Sequence, residues 1–244
     1  MALVFPITLL SLWEILSRMG VLSADGFSRP SRWSVALVQA LGDGTLLKQT
    51  AETFASAAQA LLIAALAGIV LGALLGLFRP LERAAQLTVD ALRPIPSVAL
   101  IPLSLLIFSF SREMSAAVAA FACFWPILIV TTAAVRNVDP RLFEVGRLLG
   151  FNLSKIILKF ALPAALPSIL VGVRVAAGIA IVVTVTTEIV SNPRGLGHGM
   201  TMAAEGLQPD LVWATLVWLG VVGYLLNLVL EKLPLRETGL LGNR

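Results

Sequence analysis

Residues able to do chemistry are scarce in this sequence and poorly spaced for it. The single cysteine, Cys123, and the single histidine, His198, lie far apart with no third member beside them. That leaves no nucleophile–base–orienter set and no metal-ligand spacing, so no catalytic residue and no metal site are expected. The four lysines are Lys48, Lys155, Lys159 and Lys232. A P-loop needs GxxxxGK[ST], whose amides and lysine hold the phosphates, and none of the four sits in such a run. No cofactor is expected on the chain itself. What remains is a pair of charges in apolar surroundings, Arg174 and Glu188, with Thr184, Thr187 and Ser97 as further polar groups where few are tolerated. A charge at mid-bilayer costs about 2.5–3.5 kcal/mol on insertion scales, so such residues ask for a structural or a functional reason.

The elements that position these groups are apolar runs. Hydrophobic residues make up 58% of the chain, charged residues 13%, and the mean hydropathy is +0.92, against roughly 25% charged in a soluble domain. Uncharged stretches of 26 residues (Glu52 to Arg79), 22 (Glu113 to Arg136), 20 (Asp210 to Glu231) and 18 (Arg93 to Arg112) follow one another. About 20 apolar residues cross a hydrocarbon core as a helix, so the chain is expected to be an all-α polytopic membrane protein with the lipid bilayer as its solvent. The net charge of +4 sits beside the spans, where it sets orientation, and no nucleic-acid partner is expected.

Six spans are read. The first, Ala2 to Arg18, contains Glu14 and Arg18 at a spacing that pairs them on a helix. A signal peptide is its rival, but no basic residue precedes the apolar stretch. The second, Thr53 to Phe78, carries Gly68, Gly72 and Gly76 on one face, a spacing that lets two helix backbones approach or merely keeps a long helix thin. The third, Leu87 to Phe110, includes RPIPS, and its two prolines should break the helix. The break either lines a pathway or is a bent start at the interface. The fourth is Met114 to Val135 and the sixth Leu211 to Leu230. In the fifth, Leu166 to Val190, Arg174 lies where it can snorkel to the cytosolic face. Glu188 is near the other end.

Six spans put both termini on one side. With that side cytosolic, ten basic residues lie inside against six outside, the sense of the positive-inside rule. The segment EVGRLLGFNLSKIILKFALP, residues 144–163, is then cytosolic. Asp139 and Pro140 read as an N-cap and first helical residue. The helix runs to Leu149 and stops at Gly150, Asn152 or Ser154 caps a second short helix to Leu162, and Pro163 and Pro167 mark the turn back into the membrane. An interfacial helix lying on headgroups would need no such elbow. A docking element for another protein is the better account.

Glu144, Gly150, Leu162 and Pro163 resemble the EAA loop of bacterial ABC-importer permeases. Val145 and Gly146 stand where that loop has alanines, and Phe160 where it has isoleucine. Gly146 is expected to loosen the helix by roughly 1 kcal/mol relative to alanine. The runs LWEILSRMG, RPSRW, LRPIPSVALIPL, FWPILIVTTAAVRNVD, FALPAALPSILVGVRVAAGIA and GLGHGM are similar to the nitrate/sulfonate/taurine branch of these permeases. The resemblance implies a type I (MetI-like) permease fold over residues 1–244, in the bacterial inner membrane, with a cytosolic coupling loop at 136–163. It implies a second copy of the chain, two cytosolic ATPase subunits holding ATP and Mg, and a periplasmic substrate-binding protein. Glu144, Val145, Gly146, Arg147, Gly150, Phe151, Leu162 and Pro163 would then couple to the ATPase. Ser97, Thr184, Thr187 and Glu188 are expected along the path of a small anion, where a fixed Glu188 suits a gate better than a ligand site. An ion-coupled secondary transporter would need paired intramembrane acids in repeat-related positions, and Glu188 has no such partner.

Overall fold

The computed structural model of the chain describes residues 4–20 and 26–232; the expected start of the first span at Ala2 lies outside them. Every regular element among the described residues is a helix: α1 (Val4–Arg18), α2 (Pro30–Gly42), α3 (Thr45–Leu77), α4 (Arg79–Leu92), a 3₁₀ turn (Ser97–Leu100), α5 (Ile101–Phe108), α6 (Arg112–Arg136), α7 (Pro140–Leu148), α8 (Leu153–Ile156), a π turn (Ile157–Ala161), α9 (Leu162–Val190), α10 (Gly195–Glu205) and α11 (Pro209–Lys232). Among the described residues four helices, holding the expected second span as far as Leu77 and the fourth, fifth and sixth, are long and apolar enough to cross a bilayer. The expected third span, Leu87 to Phe110, covers the end of α4, the 3₁₀ turn and α5, and the α4–α5 pair is bent by 84° where Pro94 and Pro96 withhold amides from the helix ladder. Of the expected first span, the described residues contain the 15-residue helix α1.

The core is a three-helix seam of small side chains. Ala57, Ala60 and Ala64 of α3 meet Ala116, Ala119, Cys123 and Ile127 of α6 and Ala176 and Ala180 of α9, all buried. Lipid tails are as apolar as leucine, so association rests on close packing, which small residues permit. The glycine face of α3 lies against α6. A Cβ added at Gly68 would stand 2.9 Å from Ile127 Cγ2, at Gly72 2.7 Å from Thr131 Cβ and 2.8 Å from the Leu128 carbonyl oxygen, and at Gly76 2.8 Å from the Thr132 carbonyl oxygen. These pairings advance in step, so α3 and α6 run parallel and the chain returns between them through the bent α4–α5 pair.

Gly72→Ala is accordingly expected to destabilise the chain by about 1–3 kcal/mol, because a carbonyl oxygen has no rotamer with which to yield. Gly178→Ala is its matched control, since nothing lies within 4 Å of a Cβ there. Thermal unfolding of the two variants in detergent should show a lowered midpoint for the first alone.

One expectation changes. Pro163 and Pro167 do not turn the chain: α8, the π turn and α9 follow without a gap, and the elbow lies before α8. The π turn bonds residues five apart and falls immediately before Pro163, where a regular ladder would need the amide that proline lacks. One of the Arg174 guanidinium nitrogens donates to the Leu230 carbonyl of α11.

Candidate functional site

Two polar assemblies stand at opposite ends of the bundle. At one end α7 turns sharply into α8. Asp139 caps α7, its Oδ1 accepting from the Arg141 amide at 2.9 Å. The helix closes in a Schellman arrangement: the Phe151 amide donates to the Gly146 carbonyl at 3.0 Å and the Gly150 amide to the Arg147 carbonyl at 2.9 Å. Gly150 has φ +72°, the left-handed conformation that costs an L-residue roughly 1–2 kcal/mol. Asn152 then caps α8, its Oδ1 accepting from the Lys155 amide at 3.0 Å.

Gly146 has a tighter role than the looser helix expected of it. A Cβ there would stand 2.6 Å from Ile156 Cγ1, and Ile156 is itself buried, so the absent side chain is what lets α7 lie on α8. Phe151 is half-buried beside Phe160, ring centroids 6.1 Å apart, with the Lys159 ammonium 5.2 Å from its ring centre. Glu144, Val145 and Arg147 are exposed on α7, and Leu148 is 87% exposed beside Leu149 and Leu153. The tip is therefore apolar with a charged flank, and its backbone bonds fix its shape. Leu162 and Pro163 lie above it, in the first turn of α9.

At the other end α10 opens with Gly195, Leu196 and Gly197, three amides that helix geometry leaves unpaired. Each finds a side chain. The Gly195 amide donates to Glu52 Oε2 at 3.1 Å, the Leu196 amide to Thr53 Oγ1 at 2.9 Å, and the Gly197 amide to Glu188 Oε2 at 3.1 Å. The Thr53 hydroxyl donates to the same Glu188 oxygen at 2.9 Å. Carboxylates suit a helix N-terminus because its partial charge is positive. Gly195 has φ +87°, and a Cβ on it would fall within the Glu188 carboxylate. Next to this hub, Asn192 Nδ2 donates to Ser115 Oγ at 2.6 Å and to the Ser111 carbonyl at 3.2 Å, tying the α9–α10 turn to the start of α6.

Glu188 is thus buried with its carboxylate on the Gly197 amide of α10. Thr184 and Thr187 are fully buried in α9, and Thr187 Oγ1 donates to the Val183 carbonyl at 2.8 Å. Ser97 is half-buried in the 3₁₀ turn at the α4–α5 bend, which packs against α9. Sequence reasoning missed Glu52, Thr53, Asn192, Gly195 and Gly197 as a constellation; their one trace was the glycine pair in GLGHGM. Among the described residues no cluster of three or more His, Cys, Asp or Glu could hold a metal ion.

Residues 64–233 match the family described as the binding-protein-dependent transport system inner membrane component. The chain belongs to this family. As such a permease it is 31% identical, over 91% of its own length and 81% of the relative's, to SsuC of Bacillus subtilis, which is assigned to aliphatic sulfonates transport. It is 32% identical, over 89% and 82%, to the bicarbonate transport system permease CmpB of Synechococcus elongatus, and 27% identical, over 94% and 86%, to the taurine transport system permease TauC of Escherichia coli. These relatives place the permease in the nitrate/sulfonate/taurine branch of ABC importers. Its fold is that of the inward-facing MetNI methionine ABC transporter, with a TM-score of 0.68 at 21% identity, covering 77% of this chain and 93% of that one.

Proposed function

We propose that two copies of this permease form the path by which a small anion of the sulfonate, taurine or nitrate kind enters the cell. A periplasmic binding protein delivers the anion, and ATP hydrolysis by two cytosolic ATPase subunits drives the cycle. The observation that carries this reading is the elbow. A short helix with an exposed apolar tip, locked by two backbone bonds at Gly150, is shaped to fill a groove on another protein, because a segment lying on lipid gains nothing from a fixed corner. Glu144, Val145, Arg147 and Phe151 border that contact, and Gly146 and Gly150 hold its form. ATP and Mg sit in the ATPase partners, and the elbow end, with both termini, faces the cytosol.

The anion's path runs along the bent α4–α5 pair at Ser97 and beside α9. Thr184, whose hydroxyl has no hydrogen-bond partner among the described residues, becomes available there once the spans part. Glu188 serves this path as the anchor of α10, not as a ligand.

Proteoliposomes holding the permease, the ATPase and the binding protein test the whole proposal. ATP inside and loaded binding protein outside should give solute uptake that stops when the ATPase is omitted. Uptake driven by an ion gradient with the permease alone would overturn it in favour of a secondary transporter.

A further inference from the structure

At the elbow end of the bundle a cleft of about 640 Å³ opens where α3 ends, α4 begins and α6 ends. Arg79, Arg83 and Gln86 enter it from α4 at helical spacing, and Arg136 enters from the last turn of α6. The one carboxylate in the cleft, Glu82, accepts from Arg136 at 2.5 Å. Among the described residues Arg79 and Arg83 make no ion pair. Two guanidinium groups one turn apart therefore share a concave space with an amide and a third, tethered guanidinium. α4 carries apolar side chains away from this cleft, Leu81 and Leu87, the latter 80% exposed.

We propose that this cleft binds the phosphate of an anionic phospholipid headgroup. Planar guanidinium forks match phosphate oxygens two at a time, and arginine sheds its hydration more readily than lysine. The space exceeds what a bare phosphate fills, and exposed leucines on the same helix give acyl chains a surface to lie on. Basic pockets between spans on the cytoplasmic side are suited to such headgroups, where anionic lipids gather. The choice of leaflet rests on the orientation proposed above. A lipid held there would join α4 to the last turn of α6, the turn that leads directly to Asp139 and the elbow.

Native mass spectrometry of the purified full-length permease in detergent tests this, with phosphatidylglycerol, phosphatidylcholine or inorganic phosphate added in parallel. The permease should retain phosphatidylglycerol over phosphatidylcholine, and Arg79→Gln with Arg83→Gln should lower phosphatidylglycerol retention at least fivefold while leaving phosphatidylcholine unchanged. Glu82→Gln, which frees Arg136, should raise phosphatidylglycerol retention at least twofold; this gain stays readable even if the double variant fails to fold. Equal retention by wild type and double variant, or no rise with Glu82→Gln, overturns the proposal. Displacement of the lipid by millimolar inorganic phosphate also overturns it, in favour of a free-anion site. Because the adducts are counted without turnover, a permease that proved independent of an ATPase would still show them, so the two readings fail separately.

Discussion

Gly150→Val is expected to leave ATP hydrolysis running while solute uptake falls roughly 5- to 30-fold. Nothing lies within 4 Å of a Cβ at Gly150, so the substitution creates no clash and its whole effect is torsional. A left-handed L-residue costs roughly 1–2 kcal/mol, and a β-branched side chain makes that conformation a genuine outlier. An energy of this size corresponds to a 5- to 30-fold change in the population of the locked elbow. The two bonds made by the Gly150 and Phe151 amides go with it. Gly150→Asn separates this from any general damage, because asparagine visits the left-handed region routinely and should retain most of the coupling. Reconstituted transporter, assayed in parallel for phosphate release and uptake, gives both readings. Normal uptake by the valine variant would remove the elbow from the mechanism.

The Glu188 hub gives the second large effect, and a double-mutant cycle isolates it. Glu188→Ala removes the acceptor for the Gly197 amide and the Thr53 hydroxyl. A buried donor left unsatisfied costs about 1–3 kcal/mol, so a marked loss of thermal stability is expected. Glu188→Gln keeps an acceptor oxygen in place and should lose much less. Gly195→Ala is destabilising for two reasons, its φ of +87° and the collision of its Cβ with the Glu188 carboxylate. In the double variant, Glu188→Ala with Gly195→Ala, the second reason disappears. The two losses should therefore fall short of additivity by about 0.5–3 kcal/mol, the range for residues in contact. Thermal unfolding of the four proteins in detergent measures this, and additive losses would mean that the carboxylate does not fix the α10 turn.

What could be read beforehand follows from the range of the interactions. The elbow was legible because its determinants are local: Asp139, Gly150 and Asn152 each act on amides within three residues. The bend at Pro94 and Pro96 is local in the same way. The hub was not legible, because 135 positions separate Thr53 from Glu188 and no pattern in one sequence announces their meeting. α10 illustrates the point. Its GLGHGM start is rich in the residue that disfavours helices most after proline, yet it is helical, since Glu52, Thr53 and Glu188 supply partners for its first amides. Pro163 and Pro167 misled in the opposite direction. They signal a turn by residue type, while the π turn before them lets the helix continue.

The uninterrupted course from Leu153 to Val190 joins the two assemblies. At 1.5 Å per residue its 38 residues reach roughly 55 Å. It bears the corner at one tip and, through Glu188, the anchorage of α10 at the other. A rocking of this rod by roughly 5° about its midpoint would carry each tip about 2.5 Å in opposite directions, by the same rise per residue. The π turn and Pro167 are the irregular places in this course, so a displacement of the corner reaches the α10 anchorage to the degree that these two hold their shape.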